Sequence, residues 1–340
     1  MNVLHIVPRS VLDHEQQGAY KDVLSRIRWL DEHAETYRRF AVEEDDPGVA
    51  SSWSREPVPT HILVEYSRFP RLVAHLRKIH PHARMLVRAH NIEPLQHLDN
   101  VGWGSPRGNF WLLYGMGRLF RQDGACARQA DVVLSINEWE NRVYWNRLAG
   151  RSKVEWLPYV CPEERRPANP EPYEARRMIA CVPTPKWNRK SRDLVLRFFD
   201  LARGLKKLDG AAEFAVTGNL DGWELPSCPE VVRTGHVADL PALLGRCRAV
   251  ALPSPLGYGF KTTMADALAA GAHVLAHPAL VRRSPEIVRP YLIAVDGARE
   301  TDLRRALDAL RRPPRSAEFQ SAVSALFERT MRKCFLGDSQ

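Results

Sequence analysis

The residues best suited to chemistry cluster in 252–271, LPSPLGYGFKTTMADALAAG. An apolar run ending at Leu252 leads into Pro253, Ser254 and Pro255, and then Gly257 and Gly259 flank Tyr258. Glycines let a backbone approach a ligand closely. Phe260, Lys261 and Thr262 open a helix that contains Asp266 and ends at Gly271. A helix N-terminus offers free N–H groups and partial positive charge, which suit a phosphate, and Lys261 adds a full charge. Asp266, about one and a half turns into the helix, is acceptor-only when ionised and suits a sugar diol. A P-loop is excluded, because Phe260 rather than Gly precedes Lys261 and the spacing from the first glycine is wrong. A helix start with tight turns after a strand, and no ligand, fits the same residues.

Two further places carry candidates. PTPKWNRKSRD, 183–193, follows one predicted strand and precedes a helix that Asn188 or Ser191 can cap. Lys186, Arg189 and Lys190 cluster there, and a solvated basic loop accounts for at least one of the three. In RAHNIE, 88–93, His90 stands at the carboxyl end of a predicted strand, facing the expected cleft. It suits a sugar hydroxyl or a phosphate, or equally the cap of a buried strand end. Glu93 fits the first turn of a helix, where an acidic side chain is favourable. EEDD at 43–46 reads as a solvated acidic loop rather than a metal-binding Asp-x-Asp, and GMG at 115–117 as a helix-packing site. The six cysteines, at 126, 161, 181, 228, 247 and 334, contain no CxxC pair, which excludes zinc ribbons and thioredoxin-type motifs. No metal site is expected.

Residues so far apart need a scaffold that gathers strand ends. Short apolar runs predict strands at 2–7, 36–42, 60–66, 84–89 and 131–136, with a further one in KVEWL ending near Pro158. Amphipathic stretches predict helices at 19–33, 70–79, 109–129 and 138–148. Five prolines in 158–176 fit neither helices nor central strands and mark an interdomain linker. The alternation then restarts, with strands at 177–182, 212–217, 230–233, 248–252, 273–276 and 291–295. Helices follow near 189–207, 238–246, 261–270 and 300–311, and a last amphipathic stretch covers 316–333. The fold class is therefore α/β, two Rossmann-like domains facing a cleft, with ligands outside the carboxyl ends of the strands. The expected division is 1–157, the linker 158–176, 177–315, and a C-terminal helix in 316–340 packing back on the first domain.

Composition agrees with such a scaffold. With 340 residues, 44% hydrophobic and 26% charged, the chain is long and apolar enough for a proper core and is not a disordered one. A formal charge of +9 favours an anionic partner: nucleic acid, an acidic membrane surface or a phosphorylated ligand. The charge is spread along the chain and no nucleic-acid-binding module is recognisable, so nucleic acid is not expected. No apolar run reaches the roughly 18 residues of a membrane span, and MNVLHIVP lacks the basic start of a secretory signal. The chain reads as cytoplasmic, with docking on the inner face of the membrane left open.

GYGFKTTMADALAAGAHVLA resembles the donor-binding segment of retaining GT-B glycosyltransferases, in the large bacterial family (group 1 type) that includes mannosyl- and glucosyltransferases. In that resemblance Lys261 is the basic residue that meets the donor diphosphate. Asp266 is the carboxylate on the nucleotide ribose, here shorter than the family's glutamate. Leu256 stands where the family often has a second glutamate. TGHVADLPALLGRCRAVALPSP resembles the unit before it, in which Gly235, His236 and Val237 meet the nucleobase. ADVVLSINEWE and VEWLPYVCPE resemble the end of the first domain and the entry to the linker, with Tyr159 and Val160 in the latter. The likeness implies that His90 lies beside the sugar's reacting carbon and that one of Lys186, Arg189 and Lys190 contacts the diphosphate. It puts Gly257, Tyr258, Gly259, Phe260 and Thr262 around the donor. It is coarse over about 130–280, strongest at 230–277 and weak in the first 80 residues, where Arg9 and Ser10 replace a glycine-rich turn.

The implied activity is transfer of a hexose from a nucleotide-diphosphate sugar, UDP- or GDP-linked, to a saccharide or lipid-linked acceptor. It is implied to be retaining, to need no metal or other cofactor, and to serve surface polysaccharide or glycolipid synthesis. Two alternatives stay open: a nucleotide-sugar epimerase of the same fold, and a nucleotide-sugar-binding scaffold without catalysis. The acceptor side falls to the first domain, where Trp103, Phe110, Trp111 and Tyr114 lie amid Arg107, Arg118 and Arg121. These make either a surface for a lipid-linked sugar or an anionic leaflet, or a buried amphipathic helix with a solvated basic face.

Overall fold

A computed structural model of the chain describes residues 1–13, 18–52, 57–184 and 188–337, without the side chains of 50–52. Its first half contains β1 (Asn2–Pro8), β2 (Thr36–Val42), β3 (His61–Glu65), β4 (Arg84–Ala89), β5 (Val132–Ser135) and β6 (Val154–Trp156). All pair in parallel, in the order β2-β1-β3-β4-β5-β6. The helices are α1 (Arg9–Leu12), α2 (Gly18–His33), α3 (Pro70–Ile79), α4 (Glu93–Val101), α5 (Pro106–Gln129), α6 (Glu138–Glu140) and α7 (Asn146–Ala149).

The second half repeats the plan. Its strands are β7 (Met178–Cys181), β8 (Glu213–Thr217), β9 (Val231–Gly235), β10 (Cys247–Leu252), β11 (His273–Ala276) and β12 (Leu292–Ala294). They form a parallel sheet ordered β12-β11-β10-β7-β8-β9. Between and after them run α8 (Arg189–Leu208), α9 (Leu240–Arg246), α10 (Thr262–Ala269), α11 (Pro278–Arg283), α12 (Glu300–Ala309) and α13 (Ser316–Phe335). Parallel strands covered on both faces need near-continuous apolar runs. That is why β1, β4 and β10 stood out in the sequence and why most of their residues are buried.

Three helices lie outside the expected spans, α1, α4 and α11, although Glu93 was expected in the first turn of a helix and stands in the first turn of α4. The last two begin with a proline in the first turn, Pro94 and Pro278, the helix-start signal that their short, mixed patterns hid. The expected helix 138–148 is interrupted by a wider π turn over Asn141–Trp145. EEDD is more than a solvated loop, since Asp45 accepts the backbone N–H groups of Arg71 (3.1 Å) and Leu72 (2.8 Å) and so caps α3. Of the GMG pair, Gly115 lies against His97 of α4, whereas Gly117 meets nothing within 4 Å.

The stretch 158–176 carries only two short 3-10 turns. Arg176 at its end donates to the carbonyls of Cys247 (3.2 Å), Ala270 (3.0 Å) and Gly271 (2.9 Å), satisfying the C-terminus of α10. The last helix spans the halves. Phe319 and Val323 of α13 pack in the second core, and Phe327, Met331, Cys334 and Phe335 pack with Val3, Trp29 and Leu30 of the first.

Beneath the carboxyl ends of β1, β3 and β4 lies a buried charge network. Arg26 of α2 donates Nε to Glu65 Oε1 (2.8 Å) and Nη2 to Oε2 (2.7 Å), while its Nη1 pairs with Asp22 (2.8 Å). Arg88 holds Asp22 in a second fork, 3.0 and 2.8 Å. His5 and His90 bring Nε2 to Glu65 at 2.9 and 3.0 Å. Burial works to raise the pKa of Glu65, and Arg26 with the histidine hydrogen bonds overrides it, holding the carboxyl well below its usual range. Such a pair fixes α2 on the sheet by mutual dependence, because either partner alone is an uncompensated buried charge. Glu65→Gln should cost about 3–5 kcal/mol of unfolding free energy. Denaturant melts that differ by less than 1 kcal/mol, a margin on the order of surface substitutions, would show the network to be dispensable.

Candidate active site in the crevice between the sheets

In the second sheet the strand order reverses between β7 and β10, and an α/β sheet takes ligands outside the strand ends at such a point. The chain leaving β10 forms the turn 253–261. Ser254 fastens it to α8 by donating Oγ to Asp193 (2.5 Å) and accepting Leu256 N–H (3.1 Å). The chain leaving β7 reaches α8, whose first turn is capped by Asn188 accepting Ser191 N–H (2.8 Å). Lys186, in the same loop, lies outside the described residues.

The turn itself depends on its two glycines. Gly257 has φ +94°, and a Cβ there would fall 2.7 Å from Lys190 Cδ and collide with the Lys261 ammonium. Gly259 has φ +77°, and a Cβ there would meet the His90 carbonyl oxygen at 2.6 Å. Only glycine tolerates both the left-handed conformation and these neighbours. Around the turn gather three cations. Lys190 and Lys261 lie against Gly257, and Lys261 Nζ donates to the Tyr258 carbonyl (3.0 Å). Arg283 of α11 donates to the carbonyls of Pro255 and Gly257 and sits over the Tyr258 ring, 5.0 Å from its centroid. Its Nε is buried without a hydrogen-bond partner among the described residues. Burial, then the charges of Lys190 and Arg283, push the Lys261 ammonium well below the usual lysine range.

First-half side chains grip the same turn. Three consecutive backbone N–H groups donate across the crevice: Gly257 to Asp99 Oδ2 (2.5 Å), Tyr258 to Gln96 Oε1 (3.0 Å) and Gly259 to Glu140 Oε1 (2.5 Å). Asp99 and Gln96 come from α4, and Glu140 from α6. One turn further along, Lys21 of α2 donates to Asp266 Oδ2 (2.5 Å), and Tyr159 donates its hydroxyl to Oδ1 (2.7 Å).

The sequence candidates thus separate. Lys190, Gly257, Tyr258, Gly259 and Lys261 come together. Arg189 is exposed, with its stem against Gly102. Thr262 begins α10 beside Gly18, and Phe260 packs on Tyr159, 6.4 Å between ring centroids. Gly235, His236 and Val237 leave β9 at the sheet edge, two strands from β7, with His236 exposed. Two expectations need correction. His90 does not open into the cleft: its side chain is 4% exposed, Nε2 is on Glu65, Nδ1 is 3.6 Å from Asp22, and one face stacks on Tyr66 at 4.0 Å. A ring so enclosed has no nitrogen to offer a sugar in this arrangement. Asp266 is also closed off, 2% exposed with both oxygens engaged by Lys21 and Tyr159, so no ribose diol reaches it here.

Sequence reasoning passed over Gln96, Asp99, Glu140, Arg283, Lys21 and Tyr159. For the first two the signal was Glu93–Pro94, which starts α4. The others had no local signal.

Comparison with known proteins follows this geometry. The family model of group 1 glycosyl transferases matches residues 176–312, the second sheet with its helices. No curated protein matches the chain in sequence. Among solved structures, Anabaena HepE (Alr3699) in complex with UDP and glucose is 13% identical, over 98% of this chain and 99% of that one, with a TM-score of 0.63. An E. coli structure described as trehalose-6-phosphate bound with UDP-2-fluoro glucose is 13% identical over 99% and 98%, with a TM-score of 0.61. The lipopolysaccharide outer core galactosyltransferase WaaB in its apo form is 12% identical over 99% of both chains, also at 0.61. At such identities the likeness is one of fold: the chain has the GT-B architecture throughout, including the first 80 residues, where the sequence resemblance was weak.

Glu140 gives the crevice a titration of its own. Burial raises its carboxyl to about 8, against the Gly259 N–H and the charge of Lys261, and its Oε2 has no partner among the described residues. A folded pKa above the unfolded value stabilises at low pH, and that stabilisation is lost as pH rises through about 8. Glu140→Gln keeps an acceptor for Gly259 and does not titrate. The melting temperature of the variant relative to wild type should therefore climb between about pH 5 and pH 8 and then level off. A difference that stays flat with pH would mean that Glu140 is ionised in the folded protein.

Proposed function

We propose that this chain, whose residues 176–312 match the family model of group 1 glycosyl transferases, moves a hexose from a nucleoside-diphosphate sugar to a saccharide or lipid-linked acceptor. In this reading the transfer retains configuration, needs no metal, and serves surface polysaccharide or glycolipid synthesis in the cytoplasm. The observation that carries it is the convergence of Lys190, Lys261 and Arg283 on the Gly257–Gly259 turn at the switch point. When the bond between the sugar carbon and the diphosphate breaks, new negative charge appears on the leaving group. One cation about 4 Å from a phosphate oxygen supplies roughly 4 kcal/mol at an effective dielectric of about 20. Three of them, beside the uncapped N-terminus of α10, suit a diphosphate leaving group.

Of the two described basic candidates after β7, Lys190 is the one assigned to the diphosphate, because it lies with Lys261 against Gly257 while Arg189 lies against Gly102. Lys261 takes the catalytic role, and the charge of a bound diphosphate opposes the burial that lowers the pKa of its ammonium. The nucleobase is assigned to Gly235, His236 and Val237. HepE in complex with UDP-glucose, 12% identical with a TM-score of 0.64, supports a UDP-linked donor.

A second reading, a nucleotide-sugar-binding scaffold without turnover, is favoured by Asp266, whose oxygens are spent on Lys21 and Tyr159. The two readings part on one comparison. Thermal melts with UDP, GDP, ADP, CDP and dTDP, each with EDTA, should show one diphosphate raising the melting point by several degrees. A ligand at about 100 times its Kd adds roughly 2.7 kcal/mol. With the matching sugar donor, wild type should turn over and Lys261→Ala should be slower by on the order of 10²–10³. Binding without turnover supports the scaffold. No shift with any diphosphate would remove the donor site, and a Lys261→Ala rate within a few-fold of wild type would remove Lys261 from catalysis.

A further inference from the structure

The start of α5 is exposed on almost every side. Trp103 (61%), Phe110 (63%), Trp111 (59%) and Tyr114 (60%) face solvent, with Leu113 and Phe120 beside them. Within Val101–Gln122 only Gly102 and Leu112 are buried. The buried-helix expectation therefore fails for this part, and the aromatic residues do not serve the core. Phe110 packs edge-on to Trp111 at 5.5 Å, and Trp111 to Tyr114 at 5.9 Å, so the rings form one cluster. Exposed apolar clusters of this kind mark interaction sites in soluble proteins.

The charge of the surface selects the occupant. Residues 101–122 contain three arginines, Arg107, Arg118 and Arg121, and no aspartate or glutamate. All three are exposed, and none makes an ion pair among the described residues. A groove of about 510 Å³ runs between Pro70 and the α5 residues Leu113, Tyr114, Arg118 and Arg121. Trp and Tyr prefer the headgroup level of a bilayer, and arginines there attract anionic lipid while their stems lie along apolar surface. A second copy of the chain would set three arginines against three more, with no carboxylate to answer them. A cluster exposed around a helix also suits a soft, isotropic interface better than one flat complementary face.

We propose that the N-terminal half of α5 inserts into the headgroup region of an anionic bilayer, with Arg118 and Arg121 holding phosphate headgroups in the groove. Gly102, at the foot of this surface, touches the stem of Arg189 at the start of α8, whose Lys190 lies in the crevice. Docking therefore brings the crevice to the level at which a lipid-linked acceptor would present its sugar. The proposal stands on the exposed surface alone and does not require the donor reading to hold.

The test is co-sedimentation of the full chain with phosphatidylcholine vesicles and with vesicles rich in phosphatidylglycerol, at low and high salt. Wild type should bind only the anionic vesicles, and less at high salt. Each arginine is worth about fivefold in partitioning, so Arg107→Gln with Arg118→Gln and Arg121→Gln should weaken binding on the order of a hundredfold. Phe110→Ser with Trp111→Ser should abolish binding while leaving the charge in place. These residues are exposed, so unchanged melting temperatures check the fold, and unchanged diphosphate-induced shifts separate this surface from the donor site. No binding of wild type to anionic vesicles overturns the proposal, as does binding that the variants leave intact. Self-association of wild type that Trp111→Ser dissolves, without vesicle binding, overturns it in favour of a second copy.

Discussion

Everything about the crevice depends on three consecutive backbone N–H groups, those of Gly257, Tyr258 and Gly259, and on which acceptors they find. A run of amides at a strand end is by its nature an anion cradle. Here the acceptors are Asp99, Gln96 and Glu140, all from the other half of the chain. The same hydrogen bonds that close the crevice thus occupy the atoms that a phosphate would seek. An anion bound through these amides competes with two carboxyl groups, and one of them, Glu140, is held protonated to about pH 8 by its burial. A neutral carboxyl is a weaker acceptor than a carboxylate, so the clasp is built from one strong and two weaker grips. Lys190, Lys261 and Arg283 stand around it, and among the described residues Asp99 is the carboxylate whose charge reaches both lysines.

Behind the clasp, the first half is made stiff by paired charges rather than by apolar packing alone. Arg26 and Glu65 form a buried fork, Asp22 and Arg88 a second, and His5 and His90 complete the set. This fixes α2, and α2 in turn presents Lys21 to Asp266 across the crevice. The network therefore reaches the second half through the Lys21 ammonium. His90 belongs to this framework: its imidazole is enclosed, and its backbone carbonyl touches Gly259. The first half meets the turn through side chains of α4 and α6 and through this carbonyl at the end of β4.

The scaffold was legible in the sequence because a parallel sheet buried on both faces demands long apolar runs, and these are visible one strand at a time. Strand positions, the proline-rich link and the Gly-Tyr-Gly turn all followed from local pattern. What could not be read was who occupies each side chain. Asp266 has partners 245 and 107 residues away, and the amide of Tyr258 meets Gln96 across 162 residues. Residue type marks Asp266 as an acceptor, and only the fold shows that both of its oxygens are already taken. The three basic residues after β7 likewise looked equivalent in sequence. Helix α8 separates two of them, turning Lys190 to the glycine turn and Arg189 to Gly102.

Helix α4, of which local pattern showed only the start at Glu93, is the element that ties these features together. Its nine residues carry Gln96 and Asp99 on the side that grips the turn, while His97 lies against Gly115 of α5. A movement of α4 that freed the Gly257 and Tyr258 amides would have to shift its packing on α5 as well. The aromatic and arginine surface sits on the exposed part of that same helix. The surface on α5 and the amides at the strand end are thus separated by a single short helix that touches both places.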